Sequence, residues 1–280
     1  MIKKRSIKLL GIISLFSIFV VISSGDIFAK EVTFKAVSFL PKRAATVAHF
    51  AKFVDAFNKK FKGEASINWV GGPEVIPAFQ LGEAVRKGAV DMAANSSSYY
   101  VSTLPVSHSI MYSNKTHEEI RESGFFEEFA KIHEKVGLIY LGETSYGRKF
   151  YMYTNFRPKT PAGLAGKKMR VFPALAPVVK ALNAAPILMS MREIYTAMER
   201  GVVDGFVMAV VGFVKNYSWH EVTKYMIDHG VYRGSVPIIA NPKKWNMLSK
   251  DLQNRIVKWK YEEFDPSTEK WLKDIERQDY

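Results

Sequence analysis

The sequence predicts an α/β protein of two similar lobes, and three observations carry that prediction. Strand-like and helix-like segments alternate along the chain. A short signature, Gly-x-Val-Asp, is written twice, at 88–91 and at 201–204, each time after a strand and an amphipathic helix. A length of 280 residues, 48% of them hydrophobic and 13% aromatic, is enough for one large core or two moderate ones. A strand, a helix and a return into the sheet make a right-handed crossover, so the repeated signature marks two such units.

Taken in order, Lys3, Lys4, Arg5 and Lys8 precede the apolar run LLGIISLFSIFVVI, and SSGDIFAKE follows with the small Ala29. This is the layout of a secretory signal peptide over 1–29. The alternative, a single membrane anchor, needs about 20 apolar residues, and the run is shorter. EVTFKAVSF is β-branched and aromatic with a period near two, a strand. TVAHFAKFVDAFNKKF sets Val47, Phe50, Phe53, Val54 and Phe57 at helical spacing. ASINWVGG is a strand closed by glycines, PAFQLGEAVRKG a helix with Gly88 in the C-cap position, and AVDMAAN a short strand. GLIYLGETSYG, KFYMYTN and KKMRVFP read as three further strands, and APVVKALNAA as a helix. MREIYTAMERG is a helix capped at Gly201, VVDGFVM a strand, and LSKDLQNRIVKWKYEEF a helix starting from Ser249. Asp91 and Asp204 have a structural role available, because a carboxylate at a strand start can accept nearby backbone N–H bonds.

The formal net charge is +13, but past the leader the lysines and arginines are dispersed, with no dense run or aromatic ladder, so no nucleic acid partner is expected. The chain has no cysteine. That excludes disulfides, thiolate metal sites and a lipid anchor through Cys, and leaves core packing to hold the fold.

The most specific pattern surrounds the second signature. PAGLAGKKMRV, then APILMSMREIYTAMERGVVDG, closely resembles the solute receptors of the tripartite ATP-independent periplasmic (TRAP) transporters. Their pattern runs P-x-D-L-x-G-x-K-x-R-V, then G-A-x-P-x-x-M-x-x-x-E-x-Y-x-A-L-x-x-G-V-V-D-G. A weaker likeness runs from EVTFKAVSF to NPKKWNMLSKDLQNRI. The resemblance implies a two-lobed periplasmic-binding-protein-like α/β fold with a hinge, lobe I over 30–145 plus 235–273 and lobe II over 146–234 plus 274–280. It implies a periplasmic receptor that closes on a small organic acid and delivers it to membrane permease subunits, with no catalysis and no cofactor. Family members generally continue past WLKDIERQDY, so a short variant or a truncated product is expected.

Arg170 matches the family's R-V arginine, which binds the ligand carboxylate; a planar guanidinium can make two parallel charge-assisted bonds there, as lysine cannot. Its other reading is a surface or interlobe ion pair. Arg148, in SYGRKF, matches the arginine of a G-x-R segment that faces the ligand in some members, and equally suits a structural arginine. Two and three positions after the D-G glycine the family places Glu and Asn; this chain has Val207 and Met208. Met191 stands at a frequent Phe. With Phe172 beyond Arg170, the expected pocket is an arginine clamp with apolar walls, suited to a carboxylate with a hydrophobic or aromatic body; these residues would also serve as lobe core. In the first lobe GGPEV replaces a G-G-x-L-G turn, making Glu74, Trp69, Ser96 and Tyr99 further candidates, since ligands bind where open α/β sheets end their strands.

Two rival classes remain. No Gly-x-Ser-x-Gly or His-Glu-x-x-His motif supports a secreted hydrolase, and none of the six histidines pairs with another at i, i+4. A periplasmic sensor module would use the same lobes.

Overall fold

The computed structural model describes residues 31–209, 214–215 and 217–278. The leader expected over 1–29 lies outside the described residues. Among them, no helix is long and apolar enough to cross a membrane.

The first crossover unit follows the sequence closely. Strand β1 (Val32–Ser38) leads to α1 (Ala48–Lys60), which buries Phe50, Phe53, Val54 and Phe57 on one face. Each such aromatic contributes roughly 1.5–3 kcal/mol by leaving water. Strand β2 (Ala65–Gly71) runs parallel to β1. A 3-10 turn then opens α2 (Leu81–Lys87), and Gly88 ends it with φ 78°, a left-handed conformation that costs glycine little. Strand β3 (Met92–Ala94), wholly buried, returns parallel to β1 on its other side.

The stretch after β3 carries order that periodicity left unread: a 3-10 segment (Pro105–Tyr112), α3 (His117–Glu122) and α4 (Phe125–Lys135). Thr116 and Glu119 form a capping box on α3, which satisfies two backbone donors reciprocally. The two strands expected next are one, β4 (Ile139–Thr154).

The second unit repeats the first. Strand β5 (Lys168–Val171) leads to α5 (Ala176–Ala181), which stops short of the helix expected there so that Ala185–Leu188 can form β6. A 3-10 turn (Met191–Glu193) with a Ser190/Glu193 capping box feeds α6 (Ile194–Glu199), Gly201 turns the chain at φ 66°, and β7 (Gly205–Ala209) returns. Strands β6 and β7 flank β5, both parallel to it. The second long strand, β8 (Tyr225–Ala240), precedes α7 (Pro242–Trp245) and α8 (Lys250–Trp259); Ser249 caps α8 as expected by accepting from Leu252 N. A π turn (Lys260–Phe264) joins α8 to α9 (Asp265–Gln278).

Among the described residues, the eight strands form one sheet, in the order β2-β1-β3-β8-β4-β7-β5-β6. Each end is a three-stranded parallel unit, and β4 and β8, 16 residues each, run antiparallel through the middle. Their pairing is interrupted by register shifts between Tyr140 and Met152.

The repeated aspartates do the same job twice. Asp91 Oδ2 accepts from Lys35 N at 2.8 Å while its own N–H donates to Lys35 O at 2.9 Å. Asp204 Oδ2 accepts from Lys168 N at 2.8 Å while its N–H donates to Lys168 O at 2.7 Å. Each clips a returning strand to the first strand of its unit with one charge-assisted bond.

Candidate functional site

Strands β1, β3, β5 and β7 aim their C-terminal ends at one place, the position where open α/β sheets bind ligands. Past those ends stand Phe39 and Leu40 after β1, Ser96 and Tyr99 after β3, Phe172 after β5, and Met208 and Ala209 closing β7. The long strands supply Arg148 and Phe150 from β4 and Tyr232, Gly234, Ser235 and Val236 from β8. The space left among them is a partly enclosed cavity of about 50 Å³, large enough for a few waters or part of a small molecule.

Arg170 is the dominant group. It lies on β5, whose last three residues are buried, and is itself 0% exposed. Its Nε donates to Met189 O at 3.0 Å and Nη1 to Val207 O at 3.4 Å, so the residue standing where the resemblance expects Glu holds the arginine through its backbone. Nη2 is buried without a hydrogen-bond partner of good geometry, with the Tyr99 hydroxyl and the more distant Glu193 charge as its electrostatic relief. Burial pushes the Arg170 pKa down from its usual value, opposed by the neighbouring Tyr99 and Tyr232 hydroxyls. A buried cation without a counter-ion is costly, and an anion would remove the cost.

The walls are aromatic. Phe150 and Tyr232 lie 4.4 Å apart between ring centroids, Phe172 is 5.2 Å from Tyr232 and 5.9 Å from Phe150, and the Arg170 guanidinium is 5.8 Å from the Phe172 ring. Met191 and Met208 complete the apolar lining, both buried.

Seven of the nine residues singled out by sequence line this cavity together: Arg170, Arg148, Met208, Met191, Phe172, Ser96 and Tyr99. Trp69 and Glu74 do not line it. Trp69 turns its indole N–H to Gly71 O at 2.9 Å and Ser38 Oγ at 3.1 Å and packs edge-on to Phe50, which uses its one donor locally. Glu74 Oε1 accepts from Gly72 N at 2.7 Å, and Oε2 is 3.7 Å from Arg192 Nη2. The Gly72 N–H, more than Arg192, holds the Glu74 carboxyl below its ordinary range.

Sequence reasoning missed Phe150, Tyr232 and Ser235, which line the cavity, and Glu143, which stands behind Ser235. The alternation in VYRGSVPIIA carries the signal for β8, and a lone acid in LGETSYG the signal for Glu143. Glu143 is buried on β4, and burial pushes its carboxyl up to about 7 against the pull of its Ser235 and Tyr140 hydrogen bonds. Among the described residues no cluster of three or more His, Cys, Asp or Glu side chains could hold a metal ion.

Residues 37–278 match the family described as bacterial extracellular solute-binding protein, family 7. A solute-binding protein of Roseobacter denitrificans is 27% identical over 250 residues, 84% of this chain and 74% of that protein. The 2,3-diketo-L-gulonate-binding periplasmic protein of Escherichia coli is 25% identical over 74% of this chain and 65% of its own length. In fold, the chain resembles a TRAP periplasmic solute binding protein from Desulfovibrio salexigens solved with bound orotic acid, with a TM-score of 0.74 and 19% identity, covering 88% of this chain and 81% of that one.

Proposed function

The chain belongs to the bacterial extracellular solute-binding proteins of family 7, and from that premise we propose that it is the periplasmic receptor of a TRAP-type transporter, binding a small organic acid without catalysis. The observation that carries the reading is Arg170: buried, bonded to two backbone carbonyls, and offering its free Nη2 beside an aromatic-walled cavity. A ligand carboxylate would complete the guanidinium's hydrogen bonds and supply its missing counter-charge.

The walls argue for an acid with an apolar or aromatic body, since Phe150, Phe172 and Tyr232 offer ring faces and edges where a polyhydroxylated ligand would need hydrogen bonds. The orotate held by the Desulfovibrio protein is a planar ring acid, though a more polar one, with two ring carbonyls and two N–H groups. Arg148 adds a second cationic group to the same cavity. Lobe I, 30–145 plus 235–273, and lobe II, 146–234 plus 274–280, would move about the crossing strands β4 and β8. Ligand contacts to both lobes would then stabilise the closed form, and membrane permease subunits would receive the cargo.

A thermal-shift screen of the mature chain, refolded to remove carried-over ligand, tests this against benzoate, orotate and glucuronate. Stabilisation by an aromatic acid above the sugar acid is the expected result. Preference for glucuronate would overturn the apolar pocket, and indifference to every acid would overturn the receptor reading.

A further inference from the structure

Behind the arginines the cavity has a second polar element. Ser235, 1% exposed, reaches the cavity from β8, and Glu143 of β4, 2% exposed, stands behind it. The two side chains are joined by a hydrogen bond of 2.6 Å between Ser235 Oγ and Glu143 Oε2. The Tyr140 hydroxyl donates to Oε1 at 2.8 Å, and Ser97 Oγ lies 2.7 Å from Ser235 Oγ.

No cation bonds this carboxylate directly, although the Lys260 charge nearby pulls its pKa down and Asp265 pushes it up. The Lys260 ammonium donates to the backbone carbonyl of Glu143, not to its side chain, and is itself ion-paired with Asp265. The other titratable neighbours are buried and neutral at pH 7. Burial raises the Tyr100, Tyr140 and Tyr261 hydroxyls well above their usual range, and lowers His133, whose Nε2 is 3.0 Å from the Tyr100 hydroxyl.

Resting on the reading of the cavity as an anion site, we propose that Glu143 is a positioning residue for the ligand: it takes up one proton from solvent as the anion enters, and so turns the Ser235 hydroxyl toward the ligand as a donor. With Glu143 ionised, the Ser235 hydrogen must point at Oε2, and its oxygen lone pairs face the cavity, where they repel a carboxylate. With Glu143 protonated, the acid donates to Ser235 Oγ across the same distance, and the serine hydrogen leaves Oε2 to be shared between Ser97 Oγ and a ligand carboxylate, the charged acceptor being the stronger. The proton also removes the repulsion between the Glu143 carboxylate and the incoming one, leaving the ligand's charge for the arginines. The carboxyl's ordinary value is already displaced to about 7 by burial, which places the exchange within reach at neutral pH.

Calorimetry with benzoate tests this, run at pH 6, 7 and 8 in phosphate and in Tris, whose ionisation enthalpies differ and so report protons exchanged. If benzoate gives no heat, the acid with the largest shift in the thermal screen takes its place. The full mature chain is expected to take up a substantial fraction of a proton per ligand near neutral pH, with affinity falling by up to tenfold per pH unit on the alkaline side. In Glu143→Gln the uptake should vanish and the affinity become flat with pH. Should that variant not fold, Ser235→Ala serves: it should weaken binding at pH 6, where the hydroxyl donates, and strengthen it at pH 8, where the lone pairs it removes repel the ligand. Binding without proton uptake, uptake that persists in Glu143→Gln, or a Ser235→Ala profile as steep as the parent's would overturn the proposal alone. Failure of every acid to bind would overturn the receptor reading, and this proposal with it.

Discussion

At the residue scale, a guanidinium held by the carbonyls of Met189 and Val207 keeps its fork in one orientation before any ligand arrives. Arg170→Ala is expected to cost about 2–5 kcal/mol of carboxylate affinity, because it leaves the ligand's charge buried and unpaired. Arg170→Lys should recover little, since an ammonium cannot make the paired bonds. Titration calorimetry decides it, and unchanged affinity in the alanine variant would remove Arg170 from the site. Two buried groups also give stability opposing pH dependences. Glu143 is raised from 4.5 to about 7, so its contribution is present below pH 4.5 and lost as pH rises through 7, a change of roughly 3 kcal/mol. His133 is depressed from 6.5 to about 4, so its contribution is present above pH 6.5 and lost as pH falls through 4. Between pH 4.5 and 6.5 the two slopes oppose each other. Urea midpoints from pH 5 to 8 should therefore climb more steeply in Glu143→Gln than in the parent, and parallel curves would contradict the shift.

At the element scale, the signature that first divided the chain is a strand clip. Asp91→Ala and Asp204→Ala each remove a charged acceptor from one backbone N–H and should each destabilise by about 1–3 kcal/mol, with ligand affinity unaffected. Comparable losses in chemical denaturation are expected, and a loss confined to one of the pair would break the equivalence. This is the level at which the sequence was most legible. Phe50, Phe53 and Phe57 announce α1, Gly88 and Gly201 end their helices where expected, and Ser249 caps α8. Legibility failed where local signals compete. The apolar pattern of the helix at 176–185 hides the turn into β6, and exposed residues at the start of β8 blur its alternation. Arg170, Phe172, Met191 and Met208 were readable because the family pattern surrounds β5 and β7, Arg148 because a G-x-R segment marks it on β4, and Ser96 and Tyr99 because they follow the end of β3. Trp69 and Glu74 were misplaced because their bonds to Gly71 and Gly72 depend on how one loop folds, which spacing does not encode.

At the scale of the whole molecule, Glu74 and Arg192 come from opposite ends of the sheet order and approach to 3.7 Å, with both side chains more than half exposed. An exposed pair is worth little, so Glu74→Lys should weaken ligand binding by less than about fivefold. Adding Arg192→Glu should restore it, and the effect should fade in high salt. A loss beyond tenfold would instead give Glu74 a direct part in binding. The interrupted register of β4 and β8 has a mechanical consequence. A ladder that loses its bonds at intervals resists bending less than a continuous one, and these interruptions fall between Tyr140 and Met152, the span that also carries Arg148 and Phe150. The cargo would rest on the most compliant part of the sheet, and filling the cavity would splint it. Amides around 141–151 should exchange with deuterium faster than those at the outer ends of the same strands, and slow the most when an acid binds.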